Sequence, residues 1–396
     1  MTHYDVVING GGMVGAVLAL GLSGLRRPDG SALRIAVIEA TAPDMDNHPG
    51  FDARSIALAG HSRELLEQLG LWPLLSDLIT PITHIQVSDQ GHFGQVNICA
   101  DDYPVPALGY VVELHPVGRL LYRHMTQCST IELLCPARIE TLVQEPERVL
   151  LTLADGQSLA ASLLLAADGS RSVVRQQLGL PSRRLDYRQG AIIANVQTAV
   201  PHQGRAFERF TREGPIALLP MGEGRCSLVW CASTERAEQL MTLDDETFLQ
   251  QLQQEFGYRL GRLQRTGQRH CYPLTLDEVE RPWHHRVALV GNAAHLLHPI
   301  AGQGFNLGLR DVAALVDSVR QALIDERDIG SYPVLSDYGQ TRQPDQSTIV
   351  GLTTALALMF SNDHPALAAG RNLGLMAMAA SGSFKDKLAW RAMGKR

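Results

Sequence analysis

Three glycines, Gly10, Gly12 and Gly15, follow the apolar run DVVIN in the spacing G-x-G-x-x-G. Each has a separate physical task in a phosphate-binding turn. Gly10 permits a tight turn after a strand, Gly12 lets a pyrophosphate approach the backbone, and Gly15 lets helix and strand pack closely. A helix opening there offers free N–H groups and about half a positive charge to phosphate oxygens. Glu39 closes the next apolar run, RIAVIE, where a carboxylate can accept hydrogen bonds from a ribose and repel a 2′-phosphate. A second stretch, LVGNAAHLLHPIAGQGFNLGLRDV at 289–312, places small residues, two histidines, a proline and three glycines between an apolar run and a helical pattern. A third, AADGSRSVVR at 166–175, carries Asp168-Gly169 at the end of an apolar run.

These residues need elements to hold them. DVVING, the Ala/Leu/Val run after Met13, and RIAVIEA read as strand, helix and strand, a βαβ unit that favours a parallel sheet. SRELLEQLGLWPLL reads as a helix broken near Gly70 and Pro73, and PVGRLLYRHMTQC as another helix. HIQVSD and GQVNICA alternate as strands, and RVLLTLADGQSLAASLLLAADG reads as a hairpin turning at Asp155-Gly156. Strands dominate from 183 to 230, with GEG as a hairpin turn between GPIALLPM and RCSLVWC. DETFLQQLQQEFG is a helix, RVALVG is a buried strand, and the pattern after 331 is mostly helical. The chain thus leaves a βαβ unit, builds an antiparallel sheet and returns.

Composition narrows the field. A chain of 396 residues with 45% hydrophobic content accommodates two or three domains. A formal charge of -6 gives no reason to expect nucleic acid as a partner. The six cysteines form no Cys-x-x-Cys pair, so neither a zinc site nor a disulfide framework is indicated. No secretory signal and no run of ~18 apolar residues is seen, and a cytoplasmic location with peripheral contact at the inner membrane is expected. No nucleophile elbow or Ser-His-Asp set is visible.

Taken together, the glycine fingerprint, the Asp168-Gly169 motif and the late glycine–proline loop resemble the single-component FAD-dependent aromatic hydroxylases, over nearly the whole chain. The stretches EATAPDMDNHPGFDARSIALA, GRAFERFT, GPIALLPM, CSLVWC and HPIAGQGFNLGLRDV resemble the ubiquinone-biosynthesis branch of that family. The resemblance implies an α/β fold: a Rossmann-type FAD-binding domain (1–82, 107–182 and 270–330), an inserted antiparallel β-sheet substrate domain (83–106 and 183–269), and a C-terminal helical region (331–396). It implies that Gly10, Gly12 and Gly15 hold the FAD pyrophosphate and Glu39 the adenosine ribose. Arg54 and Arg119 stand where the family brings arginines toward the cofactor. Asp168 would lie near the pyrophosphate, in a motif also associated with the nicotinamide cofactor. Pro299, Gly302, Gly304, Phe305 and Asn306 would border the isoalloxazine ring. The family's Gly-Asp is Gly291-Asn292 here, and an asparagine carbonyl can accept the same ribityl hydrogen bond without charge, with weaker binding expected.

The chemistry so implied is reduction of FAD by NADPH or NADH, followed by transfer of one oxygen atom of dioxygen to the ring of a polyprenyl phenol. With no second fingerprint, the nicotinamide visits transiently. Other ubiquinone-biosynthesis proteins are expected partners. Two alternatives stay open: an FAD-dependent isoprenoid reductase or oxidase of the same fold, and a non-catalytic flavin-holding scaffold. No catalytic base is named. His295 and His298 lie three apart, but no third ligand stands nearby and no metal is expected. Arg54 can also be read as opening a helix, Arg119 as a solvated helix position, and Arg171 and Arg175 as surface charges. The Met- and Leu-rich segments GLTTALALMF and NLGLMAMAA could supply an apolar cleft. The run TTALALMF within the first is read as helix core. The basic tail KDKLAWRAMGKR is read as a membrane or partner contact, or as a solvated helix end.

Overall fold

The first strand, β1 (Thr2–Asn9), is rich in β-branched and aromatic residues, and Val6, Val7 and Ile8 are inaccessible on both faces. Double-sided burial belongs to the middle of a parallel sheet. The computed structural model describes residues 1–42, 54–360, 374, 376 and 382–394. In it β1 pairs in parallel with β2 (Ile35–Ile38) and β11 (Ser158–Ala166). β8 (Ile131–Leu134) extends one side, and β19 (Val287–Leu289) with β18 (Trp283–His284) the other. β9 (Ile139–Gln144) and β10 (Val149–Leu153) complete this eight-stranded sheet through the expected hairpin at Asp155-Gly156.

A three-stranded antiparallel sheet orders β3 (Ser55–Ala59), β7 (Gly109–Glu113) and β4 (Ile79–Ile82). Residues 55–59 are therefore a strand, and the helical reading of DARSIALA does not hold; β-branched Ile56 and cross-strand pairing to β7 decide it. A nine-stranded sheet runs β20 (His295–Leu296), β17 (His270–Val279), β12 (Ser182–Thr198), β15 (Arg225–Ser233), β14 (Pro215–Pro220), β13 (Arg205–Phe210), β5 (His84–Asp89) and β6 (Gln95–Cys99), with β16 (Leu263–Thr266) beside β12. It is antiparallel except at β13 and β5, which run in parallel. Residues 270–279, grouped by sequence with the FAD-binding part, lie in this sheet, because the 17 residues of β12 offer an edge along which β17 pairs.

The α-helices bounded by described residues are α1 (Met13–Ser23), α2 (Gly60–Gln68), α3 (Trp72–Leu75), α4 (Leu114–Gln127), α5 (Val173–Gln177), α6 (Thr234–Thr242), α7 (Asp245–Phe256), α8 (Gln303–Ile324), α9 (Tyr332–Phe360) and α10 (Gly382–Ala392). Ser172, Ser233 and Asp244 cap α5, α6 and α7 through their side-chain oxygens, each worth about 1 kcal/mol. α1 packs between α4 and α8 on the parallel sheet. α6 and α7 cover one face of the nine-stranded sheet, where Phe207, Trp230, Phe248 and Phe256 form its core. The expected α/β architecture with an antiparallel sheet and C-terminal helices is what the chain adopts.

One face of the basic tail is packed inside the protein, while Asp386, Lys387 and Arg391 are exposed. Ala389 and Met393 of α10 and the turn after it are fully buried with Val96 and Ile98. Lys385 pairs with Asp102 at 2.9 Å, and Tyr103 donates to Asp386. The C-terminal part of GLTTALALMF is half in the core at best: Leu358 and Met359 are exposed. Most of NLGLMAMAA, at 372–380, lies outside the described residues, as do positions 43–53.

Candidate functional site

At the end of β1 the chain turns at Gly10 with φ +105°, a left-handed conformation, and a Cβ there would lie 2.5 Å from the Ala167 carbonyl oxygen. Gly15 is equally constrained by contact: its Cβ would meet the Gly10 carbonyl oxygen at 1.9 Å. Gly12 differs. It is the N-cap of α1 with no side-chain cap, and a Cβ there would meet nothing within 4 Å. The first-turn N–H groups of a helix have no intrahelical acceptors. The turn therefore presents donors to open space, with glycines packed behind. Glu39 sits beside it, accepting from Gly11 N at 2.7 Å and from Thr41 N at 2.9 Å.

Asp168 stands on the neighbouring strand end. Its Oδ2 accepts from Asn9 Nδ2 and Val173 N, both at 2.8 Å, while its Oδ1 is buried with no partner. Burial raises its pKa above the usual carboxylate range, against the pull of Ser172 and the Val173 and Val174 amides. Arg175, open to reading as a surface charge, is buried and donates to Asp277 at 3.0 Å, tying α5 to β17.

The late stretch returns to the same place. A Cβ on Gly291 would touch Val14 of α1 at 3.3 Å, and one on Gly308 of α8 would touch Val14 at 3.2 Å and the Gly291 Cα at 3.3 Å. The first turn of α1, the 3-10 turn at Gly291–Ala293 and the second turn of α8 are thus in van der Waals contact. Asn292 is exposed on that turn, and its side chain meets no partner among the described residues. Pro299 accepts from Gly302 N, and Gly302 caps α8 at φ +60°. A Cβ on Gly304 would meet nothing within 4 Å, and Phe305 is half-buried against the core of the parallel sheet. Asn306 spends its side chain inside the protein: Oδ1 accepts from Ala59 N (2.8 Å) and Ser62 Oγ (2.6 Å), and Nδ2 donates to Ala57 O and Gly302 O. It fixes the loop to β3 and α2.

Two buried histidines underlie this loop. His295 Nε2 lies 2.6 Å from Asp311 Oδ2, which also accepts from Gly291 N, while Asp311 Oδ1 accepts from Arg342 and Gln346. Burial alone would raise the Asp311 pKa; His295 and Arg342 bring it down to about 2. His298 Nδ1 accepts from Ile300 N, which leaves Nε2 to donate to Gln189 Oε1 at 3.2 Å. Burial lowers its pKa to about 4, so it is neutral at pH 7. Among the described residues no group of three His, Cys, Asp or Glu side chains could hold a metal.

Arg54, just before β3, donates to the Tyr272 hydroxyl of β17 at 3.0 Å and so bridges to the nine-stranded sheet. Arg119 lies half-exposed on α4, and no hydrogen bond or ion pair of its side chain is formed among the described residues. The sheet face opposite α6 and α7 meets the rest of the molecule at Tyr272–Arg54, Gln189–His298, Arg225–Glu113 and Ala206–Val111. Gln189, Tyr272, Asp311 and Arg342 escape sequence reasoning, since nothing local marks them.

An FAD fits this set on three observations: the open donors at Gly12, the orphaned buried oxygen of Asp168, and open space at Gly304 beside a loop whose side chains are tied down. A parallel sheet with a glycine turn, under a large antiparallel sheet, defines a class of FAD-dependent monooxygenases. The model of the family described as "FAD binding domain" matches residues 3–350. The chain is 37% identical to the ubiquinone hydroxylase UbiL of Rhodospirillum rubrum, over 98% of this chain and 89% of that one. It is 32% identical to the 3-demethoxyubiquinol 3-hydroxylase of Escherichia coli, over 98% of each. The crystal structure of PqsL of Pseudomonas aeruginosa with 2-aminobenzoylacetate superposes with a TM-score of 0.79 at 25% identity, over 95% of this chain and 100% of that one. The chain belongs to the FAD-binding-domain family, within its ubiquinone-hydroxylase group, and is a flavoprotein monooxygenase.

Proposed function

We propose that this enzyme hydroxylates the aromatic ring of a polyprenyl phenol in ubiquinone biosynthesis, with NADPH or NADH as reductant and dioxygen as oxygen donor. The observation that carries the reading is the meeting of α1, the Gly291 turn and the start of α8 in one contact, beneath a sheet face pinned at its margins. The stretches GRAFERFT, GPIALLPM and CSLVWC liken the wall of that face to the bacterial 2-octaprenyl-6-methoxyphenol hydroxylase, so the substrate proposed is a phenol of that kind. The enzyme would act from the cytoplasm at the inner-membrane surface, beside other enzymes of the pathway. Among the described residues no helix is long and apolar enough to cross a membrane.

Bound FAD supplies the redox chemistry, taking hydride from the nicotinamide and activating dioxygen. The chain's part is binding and exclusion of water. Gly10, Gly12 and Gly15 would cradle the pyrophosphate, Glu39 the ribose, and Asn292 a ribityl hydroxyl. Arg54, Arg119 and Asp168 would border the cofactor, and the backbone of Pro299, Gly302, Gly304, Phe305 and Asn306 the ring. Neutral His298 and the Asp311 network hold the loop without placing free charge in it. Arg54–Tyr272 ties the nine-stranded sheet to the cofactor-binding part, and that sheet would keep water from the ring.

The test is incubation with NADPH, isotopically labelled dioxygen and a short-tailed polyprenyl phenol. One labelled oxygen atom should enter the ring. NADPH-dependent conversion that proceeds without dioxygen would favour the reductase. A colourless protein that cannot take up FAD would favour the scaffold.

A further inference from the structure

One cross-strand row of the nine-stranded sheet is unlike its neighbours. Val87 of β5, Glu208 of β13, Ala217 of β14, Val229 of β15 and Ile193 of β12 are paired in direct register. Side chains in register share a face. That face is opposite α6 and α7, because Phe207 and Arg209, flanking Glu208, point to α7: Phe207 packs on Phe256 and Arg209 donates to Glu255 O. All five residues of the row keep partial solvent access, although they cross the middle of the sheet. The residues behind them, Phe207, Ile216, Leu218, Leu228, Trp230 and Ile192, are all buried. The same face touches the cofactor-binding part at its margins, through Tyr272–Arg54, Gln189–His298 and Arg225–Glu113. Between these contacts Ala217, Val229, Ile193 and the Glu208 carboxyl keep solvent access; the row ends at His270 of β17 on one side and, on the other, at Val87 and buried Val96 beneath α10.

We propose that Glu208 is the group that accepts the phenolic proton of the ring substrate. The step is a proton transfer only: the phenol O–H bond breaks, the proton goes to a Glu208 carboxylate oxygen, and the electron pair stays on the phenolate oxygen. An ionised phenol is the more electron-rich ring, which is what attack on an electrophilic oxygen requires. This rests on the reading of the enzyme as a phenol hydroxylase.

The surroundings suit the role. Glu208 makes no hydrogen bond or ion pair among the described residues, so none of them competes for its oxygens. Desolvation by its apolar neighbours raises its carboxyl to about 7, near the pH at which a general base works best. The flanking strands offer little to offset this. β14 and β5 present Ala217 and Val87 at its register; Asp89, at the end of β5, pairs with His92. β15 carries Cys231, whose thiol is pushed well up by burial and by the Glu208 carboxylate. His270, Tyr272 and Arg54 stand two strands further on.

The test uses the FAD-loaded enzyme, a short-tailed polyprenyl phenol, and the Glu208→Gln variant, which is isosteric and orphans no partner. The phenol should bind neutral, and Glu208 should take its proton as the ring is attacked, so wild-type hydroxylation kcat/KM should rise as pH rises through about 7. Glu208→Gln should lose that limb, with kcat/KM down about 100-fold at neutral pH and recovering toward the phenol's own ionisation. Glu208→Asp should keep a pH limb near neutrality. If Glu208→Gln loses FAD, the Glu208→Asp profile decides, and a wild-type profile with no limb near neutral pH overturns the assignment. Equal product and an equal pH profile in Glu208→Gln also overturn it. Absence of labelled phenol from the wild type would instead refute the hydroxylase reading, and Glu208's role with it.

Discussion

Replacing Gly12 by valine separates a glycine needed for the ligand from one needed for the fold. The backbone at Gly12 has φ -64° and ψ -175°, which any residue adopts, and a Cβ there meets nothing within 4 Å. The apoprotein should therefore lose no more than the difference between glycine and valine as an N-cap, about 1 kcal/mol. The cofactor should suffer far more. A pyrophosphate at this turn accepts charge-assisted hydrogen bonds from the first N–H groups of α1, each worth about 1.5–3 kcal/mol. Losing two of them costs about 3–6 kcal/mol, a weakening of FAD by more than 100-fold. Gly15→Ala gives the contrast, since its Cβ would stand 1.9 Å from the Gly10 carbonyl oxygen and α1 must move off β1. That variant should lose about 3 kcal/mol or more of stability before any ligand is added. Thermal melts of the two apoproteins and titration by quenching of FAD fluorescence measure both quantities. If Gly12→Val bound FAD within about threefold of wild type, ~0.7 kcal/mol, no phosphate would sit at α1 and the site would be misassigned.

Three further outcomes follow from the loop beneath. His298 is held neutral to about pH 4 in the native state, while the unfolded chain takes up the proton near pH 6.5. The unfolded state thus binds more protons between those values, and stability should fall as pH falls through that window, by roughly 3 kcal/mol in all. Urea midpoints of wild type and His298→Gln across the window check it; equal slopes would refute it. Asp311→Ala leaves Arg342 and His295 buried without their carboxylate and should destabilise the fold by about 3–5 kcal/mol, read from chemical denaturation. A loss under about 1 kcal/mol, the scale of an exposed pair, would mean that the network is solvated. Asn292→Asp places an anionic acceptor where the neutral one stands and should tighten FAD by about 1 kcal/mol, the gain of a charged over a neutral hydrogen bond. Unchanged affinity in the same fluorescence titration would show that residue 292 does not touch the cofactor.

What was legible in the sequence was what local physics dictates. The glycine turn, the βαβ unit, the hairpin at Asp155-Gly156 and the alternating strands each depend on residues within a few positions of one another. The β17 strand escaped because its pairing is decided by the length of β12, some 80 residues earlier in the chain. The packing of the tail's inner face escaped for a related cause: Ala389 and Met393 are an ordinary helical pair until Val96 and Ile98 cover them. Charge was the least legible property. Asp311, His295 and Arg342 look like surface residues in a one-dimensional text, and only three elements meeting make them a buried network.

The same reasoning says which parts of the site carry independent weight. Gly10 and Gly15 are required by contacts within the protein itself, so their presence reports on the turn and not on a ligand. Asn306, though it stands in the most distinctive stretch of the sequence, is likewise consumed by Ala57, Ala59, Ser62 and Gly302. The residues that the described fold does not need are the ones on which the proposed function leans: Gly12 and Gly304, which face open space, and Asn292 and one Asp168 oxygen, which have no partner among the described residues. Glu208 belongs with them. A carboxylate in an apolar row loses solvation and gains no partner among the described residues in return, a cost that packing alone would remove by substituting valine.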